Sequence, residues 1–207
     1  TGGYFGYGFK DGEFKYGGAL NVHVDPEREG LLSFTWSDDV TETGGYRFLR
    51  DQKLFSSQMY RQYLVERMDR VNRKKVSYSF RLLDYLKMNL YFQQSDIDPF
   101  SDYRFIDNDI LYHNNFSVEE AGLQFKLAYK ESFVETDWGK FSLGTDFPVV
   151  YGNVMRGVEW FQGDFQYTKY ELAVSDEFRL RSFGETGWQL VSGLATGSVP
   201  AFKLYNG

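Results

Sequence analysis

Apolar and polar residues alternate with a period of two along most of this chain. The clearest stretch is 75–93, where large apolar residues take the even positions and most of the odd positions are polar. Such alternation predicts β-strands with one apolar face and one polar face. Asp84 breaks the register, which predicts either two strands joined by a tight turn at Leu83, Asp84 and Tyr85 or one very long strand.

The same pattern recurs on both sides of this stretch. Turn signals separate the repeats, among them the hairpin sequence Asp11-Gly12 and the glycine-containing loop at 26–30. In the run at 141–151 the odd positions, including Val149 and Tyr151, are predicted to form the apolar face. The alternating runs are 5–9, 14–24, 32–36, 75–93, 123–130, 141–151, 170–181 and 188–191. They predict about 9–10 strands, mostly sequential and antiparallel.

The length of these runs indicates where the apolar face points. Runs such as 14–24 are longer than the ~5–6 residues that are usual for soluble strands, and they match the ~9–11 residues with which a tilted strand crosses a bilayer. We therefore predict an all-β fold in a single domain over 1–207, an antiparallel transmembrane β-barrel or a large fragment of one. The residues predicted to face lipid are Tyr16, Leu20, Phe80, Leu90, Leu127 and Leu172.

One segment departs from the period of two. Residues 57–71 carry Tyr60, Leu64 and Met68 at helical spacing, which predicts an amphipathic helix inside the long connection 39–73. A structured insertion of this kind is either a plug or surface lid, or an ordinary solvated loop helix.

Composition favours the membrane interpretation. The chain has 16 Tyr, 20 Phe and 21 Gly, with only 4 Pro and no Cys. Membrane barrels carry aromatic girdles at both interfaces, and glycine relieves crowding in curved strands. The net charge of −6 and the pI near 5.0 give no basic patch for nucleic acid. No apolar run approaches the ~18 residues of a membrane-spanning helix. Barrel strands contain no such run, because only every second residue is apolar.

Candidate chemistry is sparse. Asp96, Asp98 and Asp102 begin an acidic stretch that resembles a calcium loop, but the EF-hand glycine and final glutamate are missing, and a solvated loop explains the stretch equally well. His23 is predicted on a polar strand face and His113 in a loop, without the spacing of a metal hydrolase. No nucleophile or nucleotide motif is present, so we expect neither catalysis nor a cofactor. An enzyme with a carboxylate pair remains a further alternative.

Two resemblances follow from short motifs. Arg156-Gly157 resembles the Arg-Gly element in the loop that folds back into the lumen of surface-antigen assembly barrels, which implies a lumen motif here. The chain as a whole resembles the barrel region of a Bacteroidota outer-membrane family of unknown function, whose members carry a carboxypeptidase-regulatory-like sandwich before the barrel. The stretches that carry this resemblance are Phe9–Gly18, Tyr170–Leu172, Gly197–Pro200 and Leu204–Gly207. It implies that the chain is part of a barrel wall.

The sequence thus predicts a bacterial outer-membrane β-barrel protein with a structural, transport or accessory role in a membrane protein complex. Its partners would be outer-membrane lipid and other outer-membrane or periplasmic proteins. The alternative is a soluble secreted β-sandwich or barrel that binds carbohydrate through exposed aromatics, with the same apolar residues buried in a core.

Overall fold

The computed structural model describes ten ranges: 1–9, 12–42, 68–99, 104–107, 110–113, 115–136, 139–161, 163–180, 184–200 and 203–204. Within these ranges the chain is all-β, with thirteen strands and no α-helix. The strands are β1 (Gly2–Tyr7), β2 (Phe14–Asp25), β3 (Gly30–Glu42), β4 (Met68–Leu83), β5 (Leu86–Pro99), β6 (Arg104–Asp107), β7 (Ile110–His113), β8 (Phe116–Ala128), β9 (Ser132–Thr136), β10 (Gly139–Gly144), β11 (Val149–Val158), β12 (Tyr167–Leu180) and β13 (Gly184–Gly197).

Nine of these strands form one antiparallel sheet in the order β1-β2-β3-β4-β5-β8-β11-β12-β13. Each strand pairs with the next sheet strand along the chain, and the pairs β6–β7 and β9–β10 form separate two-stranded hairpins. Among the described strands β1 and β13 are the two edges, and no pairing joins them, so the sheet is not closed. The predicted all-β antiparallel fold is confirmed, and the two-strand interpretation of 75–93 is correct, with a turn at Asp84 and Tyr85.

The prediction of a helix at 57–71 is wrong for its last four residues. Residues 57–67 lie outside the described ranges, whereas Met68–Val71 begin β4. These residues pair with β3 on one side and, from Asp69 onwards, with β5 on the other. The two ladders give their backbone groups partners that outweigh the helical spacing of the side chains.

The run at 141–151 is not one strand. Gly144 has a φ of 94°, and the chain turns there before β11 begins at Val149. This interruption shifts the register, so that Tyr151 lies opposite Lys126 on the polar face, and Val150 lies opposite Leu127 on the apolar face. His113, predicted in a loop, is the last residue of β7, opposite Arg104.

The sheet has two chemically distinct faces. Large apolar side chains of one face, here called the apolar face, are exposed: Leu20, Val22, Val24, Leu32, Phe34, Trp36, Val76, Leu82, Leu90, Val154, Tyr170, Leu172, Phe178, Trp188, Leu190 and Leu194. The opposite polar face holds most of the buried polar side chains, including Glu120 and Asn153. The burial pattern is thus the reverse of a soluble sheet that packs its apolar face into a core.

Glycine and aromatic residues meet directly across neighbouring strands. The pairs are Tyr4 with Gly17, Tyr91 with Gly122, Phe125 with Gly152 and Tyr167 with Gly157. In each pair a Cβ on the glycine would come closer than 3.0 Å to the ring. The rings therefore use the space that glycine leaves, a device that pins the register of curved sheets and accounts for the high content of both residue types.

Replacing Gly122 with alanine is expected to destabilise the fold by about 1–3 kcal/mol. The new methyl group would lie 2.4 Å from the Tyr91 ring, which is buried and hydrogen-bonded to Asn153 and therefore cannot move aside freely. The matched control is Gly6→Ala, because nothing lies within 4 Å of a Cβ at Gly6. Urea unfolding midpoints measure the difference, and equal midpoints for the two variants would contradict the proposed packing.

Candidate functional site

The apolar face is the most extensive candidate surface of the described sheet. In β4 the residues Val76, Tyr78, Phe80 and Leu82 succeed one another on this face, and β5 presents the matching residues from Leu86 to Phe92. At about 3.3 Å per residue each series covers roughly 20 Å of strand. That length is comparable with the ~25 Å apolar band of membrane barrels.

A charged border ends this apolar face in β3, β4 and β5. Its side chains point to the same side of the sheet as Trp36, Val76 and Phe92 and lie beyond them along the strands. They are Asp38, Arg70, Asn72, Lys74, Asp96 and Asp98. The Arg70 guanidinium lies 3.0 Å from the Asp38 carboxylate and 2.6 Å from that of Glu13. Arg70 and Glu13 are about a third exposed while Asp38 is buried beside them, so the outer side of this border is in contact with water.

Aromatic side chains mark the line between the charged border and the apolar face. Tyr16 packs edge-on against Trp36 and donates a hydrogen bond to Asp38 at 3.2 Å. Farther along, Trp160 stacks on Phe92 with ring centroids 5.8 Å apart, and its backbone N–H donates to Glu119. Amphipathic rings at such a boundary are typical of the interface between hydrocarbon and water.

The centre of the polar face is a buried network around Glu120. The Lys203 ammonium lies 2.8 Å from its carboxylate, and Tyr167 and Gln93 donate hydrogen bonds to the same group. Lys203 follows β13 in the chain, so this ion pair fixes the segment after the sheet onto the polar face. The Glu120 side chain is 1% exposed, and Lys203 supplies the positive charge that compensates it.

The network continues along β11 and β12. Lys169 donates to the Lys203 carbonyl at 2.7 Å and lies 3.5 Å from Glu171. Asn153 donates to Glu171 at 2.6 Å and accepts a hydrogen bond from Tyr91 at 3.2 Å. Because each group both orients and satisfies its neighbour, the network links β5, β8, β11 and β12 on the polar face.

A small apolar core lies on the polar face beside this network. It comprises Val71, Ile97, Phe116, Val118, Phe165 and Tyr167, with Val199 packed against it. Phe165 precedes β12 and Val199 follows β13, so two connecting segments fold over the sheet at this end. The polar face is therefore covered here by the chain itself.

A second ionic cluster lies at the opposite end of the polar face. Glu131 is 2.6 Å from Lys126 and 3.6 Å from Arg81, and Arg81 also contacts Glu29 at 2.8 Å. Burial alone would raise the pKa of Glu131, but the hydrogen bonds from Lys126 and Ser142 outweigh it, so this pKa lies below its ordinary value. The carboxylate is thus ionised near neutral pH and holds the connection before β9 against the sheet.

The residues predicted to face lipid share one surface. Tyr16, Leu20, Phe80, Leu90, Leu127 and Leu172 all lie on the apolar face, and none is buried.

The other predicted site residues are placed differently. Arg156 and Gly157 do not lie in a loop but in β11, paired with β8 and β12, and Arg156 is exposed on the apolar face. Two ladders hold this backbone in the sheet, so the loop that the resemblance implied is not found at these two residues, and their role as a lumen motif stays a prediction. Asp96 and Asp98 lie in β5, and Asp102 lies outside the described ranges. No group of three acidic, His or Cys side chains among the described residues could hold a metal ion.

Sequence reasoning missed Glu120 and Lys203. Their separation along the chain hides the ion pair, but one local signal points to it. Phe116 and Val118 precede Glu120 on the same strand face. Two large apolar residues on the polar face indicate that this stretch is covered, and hence that the next residue on that face is buried.

Comparison with known protein families shows one match. Residues 1–194 match the family of unknown function (DUF5686), C-terminal domain. The chain belongs to this family. The DUF5686 match covers β1 to β12 and most of β13, and Lys203 lies beyond it. No curated protein and no solved structure matches the chain. The predicted membership of a family of unknown function is confirmed at this level.

Proposed function

We propose that this DUF5686 domain forms part of the wall of an outer-membrane β-barrel in a Gram-negative bacterium of the Bacteroidota type. Its role is structural, transport-related or accessory to a membrane protein complex, without covalent catalysis. The observation that carries the proposal is the apolar face, which stays exposed across the nine-stranded sheet while most of the buried polar side chains lie on the opposite face.

Hydration of the apolar face would be unfavourable in water. Each Å² of apolar surface that leaves water contributes roughly 25 cal/mol, and soluble monomers rarely expose a contiguous patch beyond about 300–600 Å². Exposed leucines and aromatics occur on this face in both outer strands and central ones, for example Leu20, Leu90 and Leu194. Hydrocarbon chains of lipid would cover such a surface without any further protein layer.

The polar face supports the same proposal. Ionisable groups in membrane proteins face away from lipid and are paired with one another. Glu120 with Lys203, and Glu131 with Lys126, follow this rule, since both pairs lie on the polar side of the sheet.

In the described ranges no helix has the length and apolar character to cross a membrane.

The soluble carbohydrate-binding alternative requires a different burial pattern. It needs residues such as Leu90 and Leu172 in a core, whereas these side chains are exposed. The exposed aromatics are the one observation in its favour, because stacking on sugars also uses exposed rings.

Fluorescence in brominated lipid tests the proposal. Trp36 and Trp188 are exposed on the apolar face, so their emission should be quenched when the full-length protein is reconstituted into vesicles of brominated phosphatidylcholine. The same protein should need detergent for solubility and should migrate differently on gels before and after heating. The proposal would be contradicted if the protein stayed monodisperse and folded in buffer without detergent and its tryptophans were not quenched in the vesicles.

A further inference from the structure

The connections between neighbouring strands differ in length at the two ends of the sheet. The end that carries the charged border is called the border end here, and the opposite end is called the turn end. The turn end has three connections of two to four residues, whereas every connection at the border end is longer than these. The border-end connections are 8–13, 43–67, 100–115 and 159–166, and the turn-end connections are 26–29, 84–85, 129–148 and 181–183.

The apolar face also lies closer to the turn end than to the border end. Val24 and Leu82 each lie one residue before the end of their strand, so apolar side chains reach the turns. At the border end β5 continues from Phe92 to Asp98 with polar side chains on this side of the sheet, over roughly 20 Å at about 3.3 Å per residue. The sheet therefore extends beyond its apolar band at the border end.

We infer that the border end faces the cell exterior and that the turn end faces the periplasm. In bacterial membrane barrels the short turns are periplasmic and the longer loops are extracellular. The long connections and the extension of the sheet fall at the same end, although they are separate features of the chain. The inference rests on the proposed membrane role, because only a sheet in a membrane has such an orientation.

This orientation gives the outer leaflet a defined contact in the connection 159–166. Trp160 and Phe161 are 65% and 79% exposed, although both rings pack against Phe92. The buried Glu119 carboxylate accepts hydrogen bonds from the backbone N–H groups of both residues, at 3.2 and 3.0 Å. Phe165 of the same connection lies in the apolar core on the polar face, so the connection wraps over the end of the sheet. The two exposed rings are thus held where outer-leaflet lipid meets the charged border.

The connection 129–148 is the exception in length at the turn end, and it makes the inference specific. It contains the β9–β10 hairpin, and Glu131 ties it to Lys126 and Arg81 on the polar side of the sheet. Phe133 packs against the Arg81 guanidinium at 4.5 Å. Its length alone would place this connection outside the cell, whereas the strand order places it in the periplasm beside the tight turns.

Labelling of single cysteines on intact cells tests the orientation. The chain contains no cysteine, so each introduced cysteine is its only one. The border-end variants are Asp98→Cys and Glu159→Cys, and the turn-end variants are Glu27→Cys, Asp84→Cys and Leu143→Cys, all at exposed positions. The full-length protein, without cysteines elsewhere, is treated in its native membrane with a maleimide on a polymer too large for outer-membrane pores. A band shift on a denaturing gel measures the labelled fraction before and after the outer membrane is permeabilised.

The two border-end variants should shift completely on intact cells, and the three turn-end variants should shift only after permeabilisation. Leu143→Cys should behave like Glu27→Cys, because both lie at the turn end. Labelling of any turn-end variant on intact cells would overturn the inference, as would protection of the border-end variants until permeabilisation. Each variant is first shown to be folded by its gel migration before heating.

Leu90→Cys separates this inference from the proposed membrane role. Its position in the middle of the apolar face should protect it from the maleimide both before and after permeabilisation. Labelling of Leu90→Cys in permeabilised cells would contradict the membrane wall itself. Protection of Leu90→Cys together with reversed labelling of the two ends would contradict only the orientation.

Discussion

Replacing Glu120 with leucine is expected to destabilise the fold by about 3–5 kcal/mol, the cost of removing one partner of a buried ion pair. The carboxylate is 1% exposed and accepts hydrogen bonds from Lys203, Tyr167 and Gln93. Leucine would leave the Lys203 ammonium buried without the carboxylate that compensates it. It would also remove the acceptor for two polar side chains, Gln93 on β5 and Tyr167 on β12.

The matched control is Glu177→Leu, which makes the same chemical change on β12 at an exposed position. Surface substitutions of this kind usually change stability by no more than about 0.5 kcal/mol. Urea unfolding of the folded protein, followed by tryptophan fluorescence, measures both variants. Similar losses in the two variants would show that Glu120 does not hold the structure as described.

A double variant separates the charge effect from the loss of packing. Glu120→Leu combined with Lys203→Met removes both charges, and buried ion pairs replaced by apolar residues of similar size often lose nothing. The double variant should therefore recover much of the stability that the single variant loses. If the losses add instead, the two side chains are not energetically coupled.

Replacing Leu90 with arginine is expected to cost about 2–4 kcal/mol when the protein is folded in a bilayer. Leu90 lies within the apolar face of β5, between Phe92 and Met88. A guanidinium there would have to lose its hydration or draw water into the hydrocarbon layer. In water the same half-exposed position would accept arginine with little effect.

Leu143→Arg is the matched control. Leu143 is 69% exposed, but it lies on β10, outside the nine-stranded sheet. Unfolding free energies measured in lipid vesicles should fall for Leu90→Arg and stay within about 0.5 kcal/mol of the parent protein for Leu143→Arg. Equal, small effects at both positions would argue that water, not lipid, contacts the apolar face.

The sheet and its faces were accessible from the sequence because both depend on local alternation. Leu20, Leu90 and Leu172 follow strict period-two runs, and each lies on the predicted face. Alternation failed at 141–151, where the turn at Gly144 separates β10 from β11, and in β11 the apolar face takes Val150 and not Tyr151. A change of register at a turn depends on backbone angles that the apolar pattern does not reveal.

The buried network was not accessible for a different reason. Glu120 and Lys203 are 83 positions apart in the chain, and their contact depends on how the segment after β13 folds onto the sheet. Adjacent acids at Glu119 and Glu120 suggest a solvated strand, yet both are buried, Glu120 by the network and Glu119 beneath Trp160 and Phe161. Only the tertiary arrangement distinguishes these carboxylates from solvent-exposed ones.

The strand order also bears on how the sheet is assembled. Because each sheet strand lies beside the next one along the chain, most contacts form over short sequence distances, a topology that favours fast zippering from one hairpin to its neighbour. Within the nine-stranded sheet the β4–β5 hairpin has the shortest connection, Asp84 and Tyr85, and we expect it to form first. Three pairings, β3–β4, β5–β8 and β8–β11, require a longer connection to close, and the longest of these connections is 43–67 between β3 and β4. We therefore expect the rate of folding to be set by these three pairings in the middle of the sheet and not at either edge.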